Sequence, residues 1–182
     1  MQTTMQKTFW RIAVIIMSLT CYAVRTQAQE FSKHSIKIGA GFEMVDERNL
    51  TGEGFVTVLT YQRQLKDWLW FAPYAKHGTI TTIGITCTPD AYYNMMTLGI
   101  GMNTAILKLF YVGLGGEINY LHGLERYESY TRDLCLDICA NAGFHIAPRE
   151  KRIAVNIIPL TLAFGTSELF SGGMRLEMEI KL

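Results

Sequence analysis

The chain has 182 residues, 49% of them hydrophobic and 18% charged, with a formal net charge of +1. That length suits one domain, and a near-neutral balance without a concentrated basic face excludes nucleic acid as a partner. Beyond the N-terminus no stretch approaches the roughly 18 unbroken apolar residues of a membrane helix, so a helical membrane protein is excluded as well.

At the N-terminus, Lys7 and Arg11 lead into the apolar run from Ile12 to Val24, followed by RTQAQE. A basic start, a short apolar core and a small residue at Ala28 make a secretory signal peptide. Residues 1–28 are expected to be removed after Ala28, leaving 29–182 as a single domain. A membrane anchor fits less well, because the run is short for a helical span. A lipoprotein cut at Cys21 competes, but Thr20 is a poor residue before such a cysteine. Loss of Lys7, Arg11 and Arg25 takes the net charge from +1 to −2. Cys87, Cys135 and Cys139 then remain, and an odd number yields no disulfide framework.

The rest of the chain alternates. SIKIGAGFEM sets Ile36, Ile38, Ala40, Phe42 and Met44 against Lys37, Gly39, Gly41 and Glu43. Gly54–Gln64 is rich in Val, Thr and Tyr with mixed faces. Trp68–Lys76 follows a tight turn at Lys66–Asp67 and reads as the return arm of a hairpin. Gly78–Thr88 is taken as its continuation. NMMTLGIGMN sets Met96, Leu98, Ile100 and Met102 against Thr97, Gly99, Gly101 and Asn103. FYVGLGGEINY sets Phe110, Val112, Leu114, Ile118 and Tyr120 against Gly113, Gly115, Glu117 and Asn119. LCLDICANAGFHI sets Leu134, Leu136, Ile138, Ala140, Ala142, Phe144 and Ile146 against Cys135, Asp137, Cys139, Asn141, Gly143 and His145. Arg152–Phe164 is interrupted by Pro159, which predicts a bulge or strand end. The last segment sets Met174, Leu176, Met178, Ile180 and Leu182 against Arg175, Glu177, Glu179 and Lys181. A period of two held this long predicts antiparallel strands with one apolar face and no helix of consequence.

Connections near Lys66–Asp67, Ala105–Lys108 and Ala147–Lys151 read as short. Those at Val45–Glu53, His122–Arg132, Gly165–Ser171 and the region up to Asn94 read as longer. Short turns at one end and long loops at the other suit a membrane barrel. Three features turn the polar face inward. Glycine recurs on it, as the crowded interior of a narrow barrel requires. Trp68, Trp70, Phe71, Phe110 and Tyr120 fall near strand ends, as in an interfacial girdle. The final strand is complete to Leu182, as closure onto the first strand demands. With both ends of the domain on one side the strand number is even, and eight strands fit.

On this pattern the chain resembles the small eight-stranded β-barrels of Gram-negative outer membranes. It departs in its last residue, Leu182, where that family usually ends in Phe. The resemblance implies an all-β, closed antiparallel transmembrane barrel in the outer membrane, contacting its lipid. It also implies a C-terminal strand recognised by the barrel-insertion machinery, and contact with other envelope proteins.

The expected lumen network is Lys37, Glu43, Glu117, Asp137, Arg175, Glu177, Glu179 and Lys181. Ion pairs between the first strand (Lys37, Glu43) and the last should hold the seam, since buried charge is costly unless paired. An eight-stranded barrel is filled by its side chains, which disfavours a porin. Catalysis would need a nucleophile, a base and an orienting group within reach. Asp137 and His145 share a face but lie eight residues, or about 26 Å, apart. His122 lies near Glu125 with no evident serine, and His77 with Asp90 across a loop is unsupported. His34 completes the set of histidines. Cys135 and Cys139, about 13 Å apart on one face, read as small lumen residues. Asn49 begins a glycosylation pattern of little meaning in a bacterium. The pattern suggests neither cofactor nor metal. Arg48, Glu125, Arg126, Tyr127 and Tyr130 are the loop contact candidates. The expected function is a non-enzymatic envelope role, whether structural, adhesive or scaffolding. The alternatives are a soluble periplasmic barrel holding an apolar ligand and an outer-leaflet lipid-modifying enzyme.

Overall fold

Alternation becomes strand along nearly all of the described chain. The computed structural model describes residues 33–47, 50–82, 92–106, 109–124, 132–146, 152–165 and 169–182. They form β1 (His34–Glu47), β2 (Leu50–Lys66), β3 (Leu69–Thr82), β4 (Tyr92–Ile106), β5 (Phe110–Leu124), β6 (Arg132–Ile146), β7 (Ile153–Gly165) and β8 (Leu169–Lys181). Every neighbour in sequence is an antiparallel neighbour in space, and β8 returns to β1 to close the barrel. The closing ladder runs from Ser35 opposite Lys181 to Glu47 opposite Leu169. One further bond, from the Leu182 amide to the His34 carbonyl at 2.9 Å, extends it. Residues 1–28, Arg48, Asn49, Cys87, Asp90 and the loop candidates Glu125, Arg126, Tyr127 and Tyr130 lie outside the described residues.

Gly78–Thr82 belongs to β3, as expected of a continuation. Pro159 sits in a bulge. On one side Ile158 and Pro159 together oppose Gly143, and on the other the register with β8 shifts between Ile158 and Thr161. A residue without an amide hydrogen is tolerated where the ladder is already broken. The strands run further than expected at the loop end. Val45 to Glu47 pairs through to Leu50, and Gly165 and Leu169 leave three residues between β7 and β8. The expected longer loops at Val45–Glu53 and Gly165–Ser171 are therefore mostly ladder. The longest connections are 83–91 and 125–131.

The faces sort as the glycine-rich side required. Ile38, Phe42, Met44, Leu98, Ile100, Leu114, Leu136, Ile138, Met174 and Leu176 all point outward, while Lys37, Glu43, Glu117, Asp137, Glu177 and Glu179 are buried. The soluble-barrel alternative needs the opposite arrangement. On β2 the outward residues between Glu53 and Arg63 are Phe55, Thr57, Leu59 and Tyr61. Ten residues at about 3.3 Å each, tilted by about 40°, span about 25 Å, the height of the apolar band of a transmembrane barrel.

Strand packing leaves little slack at some glycines. A Cβ on Gly54 would stand 2.0 Å from the Thr79 carbonyl oxygen and 2.8 Å from the Ile80 Cα, both backbone. A Cβ on Gly101 would come no nearer than 3.6 Å to any atom outside its immediate neighbours. Gly54→Ala should therefore destabilise the barrel by about 1–3 kcal/mol. Gly101→Ala should change stability by less than about 0.5 kcal/mol. Denaturant titration of the two purified variants compares them, and equal midpoints would contradict this packing.

Candidate functional site

The lumen is layered, and the layers follow from which inward positions carry charge. Towards the loop end Val45, Val56, Ile80, Tyr93, Met95, Leu121 and Cys135 pack into an apolar plug. Beneath it lies an ionic layer centred on Lys76. Its ammonium donates to Glu43 Oε1 at 2.8 Å and stands 3.6 Å from Glu117 Oε1. Ser171 donates to the same Glu43 oxygen at 2.9 Å. Tyr74 donates to Glu117 Oε2 at 2.5 Å and lies 3.1 Å from Cys139 Sγ. Its ring occupies the space a Cβ on Gly99 would need, which explains that glycine. Asn119 accepts from Thr97 and donates to Asp137 and, at 3.1 Å, to Glu117. Glu43 and Glu117 are thus each held by several donors, as burial of charge demands, whereas Asp137 receives one, from Asn119.

A second layer sits nearer the short-turn end. Lys37 lies 3.6 Å from Glu179 across the seam. Glu179 also accepts from Asn156 at 3.1 Å, and Asn156 Oδ1 is 2.8 Å from His145 Nδ1. Arg175 Nε is 3.6 Å from Glu177, and Lys37 stands over the Tyr111 ring at 5.3 Å.

Of the ion pairs expected between the first strand and the last, Lys37 makes one, with Glu179. Glu43 departs from expectation, because its ionic partner is Lys76 on β3 and β8 contributes only the Ser171 hydroxyl. Lys181, expected in the lumen, is half-buried at the mouth. Cys135 is fully buried and Cys139 lines the lumen, as expected of both. Of the expected girdle, Trp68 is 54% exposed and Phe71, Phe110 and Tyr120 are half-exposed on outward positions, Phe110 packing on Phe144 at 5.6 Å. Trp70 is a correction: it is 1% exposed and points into the lumen. Consecutive strand residues face opposite ways, so Trp70 and Phe71 cannot both be on the wall.

His77 faces outward and His145 inward. His122 stacks on Tyr120 at 6.5 Å, and His34 lies 2.8 Å from the Tyr61 hydroxyl. These positions spread the histidines over separate faces and heights. Between the layers the lumen contains cavities of about 30 and 20 Å³, room for a water or two and no more.

No protein-family model and no curated protein matches the sequence. Solved structures do match the fold. Neisserial surface protein A superposes with a TM-score of 0.58 at 12% identity, covering 83% of this chain and 98% of its own. Ail, the attachment invasion locus protein of Yersinia pestis, gives 0.53 at 13% identity, covering 82% and 99%. A second Ail structure, in complex with the heparin analogue sucrose octasulfate, gives 0.52 at 13% identity, covering 81% and 96%. These are eight-stranded outer-membrane barrels of Gram-negative bacteria, and the chain shares their closed antiparallel fold.

Proposed function

We propose that the protein is a non-enzymatic barrel of the outer membrane whose work is done at its loop end, as an adhesive or scaffolding surface of the envelope. The observation that carries this is the filled lumen. An apolar plug above two ionic layers fills the lumen, where the described residues line cavities of only about 30 and 20 Å³. The apolar wall belongs to lipid, so the connections 83–91 and 125–131 are left to meet a partner.

The barrel's likeness in fold to a surface protein and an attachment protein supports the same reading. The partner need not share the chemistry of a heparin analogue. The sequence of the loop-end connections and the strand ends beside them carries Asp46, Glu47, Glu53, Asp90, Glu125, Glu128, Asp133 and Glu168, against Arg48, Arg126 and Arg132. That balance repels polyanions and favours a cationic or neutral surface.

The test replaces 83–91 and 125–131 with two-residue Asn-Gly turns. Outer membranes carrying this variant should retain the boiling-dependent gel shift of a closed barrel. The same cells should lose the attachment and envelope cross-links that the intact protein confers. Attachment and cross-links that survive loop removal would refute the proposal, as would recovery of the protein in the periplasmic fraction.

A further inference from the structure

The charges outside the barrel are segregated as well. At the short-turn end Lys33, His34, Arg63, Lys66 and Arg152 are exposed, with Lys181 half-buried beside them. The register makes this one collar. His34 lies opposite Arg63, the Gln64 amide binds the Lys33 carbonyl at 2.8 Å, and the Lys181 amide binds the Arg152 carbonyl at 2.7 Å. Among the described residues no carboxylate lies within ion-pair distance of Lys33, Arg63, Lys66 or Arg152. Among the described residues Asp67 is the exposed acidic side chain of that rim, whereas Asp46 and Glu53 are exposed at the opposite end.

Aromatic rings adjoin the cations on the wall side. Tyr61 stacks with His34 at 6.2 Å, and Lys66 stands 5.6 Å over the Trp68 ring. Rings at the edge of an apolar band with long cationic side chains just beyond them form the chemistry of a membrane–water interface.

We propose that this collar binds the phosphates of anionic phospholipids in the leaflet at the short-turn end. The proposal rests on the membrane-barrel reading above and adds to it a lipid preference and a direction. Phosphate diesters meet unpaired guanidinium and ammonium groups at one end, and carboxylates repel them at the other.

Trp68 is placed to report it. The protein is folded into phosphatidylcholine vesicles containing either brominated phosphatidylglycerol or the same fraction of brominated phosphatidylcholine. Trp68→Phe identifies the signal of that ring against the buried Trp70. Quenching by the anionic lipid should exceed that by the zwitterionic one by about threefold or more. The preference should vanish in the variant carrying Lys33→Gln, Arg63→Gln, Lys66→Gln and Arg152→Gln, and in the unaltered protein at about 1 M salt. Asp46→Asn with Glu53→Gln should preserve it. Equal quenching by both lipids overturns the proposal, as does a preference that survives both the collar variant and high salt. Absence of quenching by either lipid overturns the membrane reading itself.

Discussion

Replacing Lys76 with methionine should lower the unfolding free energy of the barrel by about 3–5 kcal/mol. The ammonium lies between Glu43 at 2.8 Å and Glu117 at 3.6 Å, and all three side chains are almost completely shielded from solvent. Methionine fills nearly the same volume, so the loss is electrostatic: two carboxylates would remain in a low-dielectric lumen without their shared cation. Ser171, Tyr74 and Asn119 would still donate to them, which keeps the cost in the range of a broken pair rather than of two bare charges. Neutralising the acids as well, with Glu43→Gln and Glu117→Gln in the Lys76→Met background, should recover most of the loss, because a buried ionic cluster replaced as a whole costs little. Guanidinium titrations of the single and triple variants in one micelle measure both. A triple variant no more stable than the single one would show that Lys76 acts through packing.

The faces of β1, β4, β5, β6 and β8 were legible because each presents a run of large apolar residues against glycine and charge. Lys76 was not, and the reason lies in β3. Its inward set of Trp70, Ala72, Tyr74, Lys76 and Ile80 is as apolar as its outward set of Phe71, Pro73, Ala75, His77 and Thr79. A signal existed elsewhere. The lumen set read from the other strands held five acids, Glu43, Glu117, Asp137, Glu177 and Glu179, against Lys37, Arg175 and Lys181, so a buried cation was owed. Strand length was hidden by different physics. Alternation records the contrast between lipid and a polar lumen, and above the bilayer the outer face meets water while the inner face packs on the apolar plug. Val45–Glu47 and Leu50–Glu53 therefore lose the pattern while keeping the ladder. The plug inverts the expected polarity, since Val56, Met95 and Leu121 are apolar yet point inward. Only the register shows them converging.

Leu98→Arg should cost about 2–4 kcal/mol, and its sign separates the membrane barrel from a soluble one. Leu98 is 69% exposed on the outer wall, beside Ala75 and Ile118 in the middle of the apolar band. In lipid an arginine there must stretch its guanidinium to the interface or draw water down to it. In water the same exchange removes an exposed apolar side chain and should fall within about 0.5 kcal/mol of neutral. Depth gives a second readout along the same wall. Thr81 is also outward, six residues from Ala75 towards the loop end and opposite Tyr92. Thr81→Arg should cost about 0–1 kcal/mol, because its head group reaches water without strain. Denaturant titration in phospholipid vesicles measures both. Equal, near-zero costs would place the wall in water, whereas a cost that falls from Leu98 to Thr81 places the lipid boundary between them.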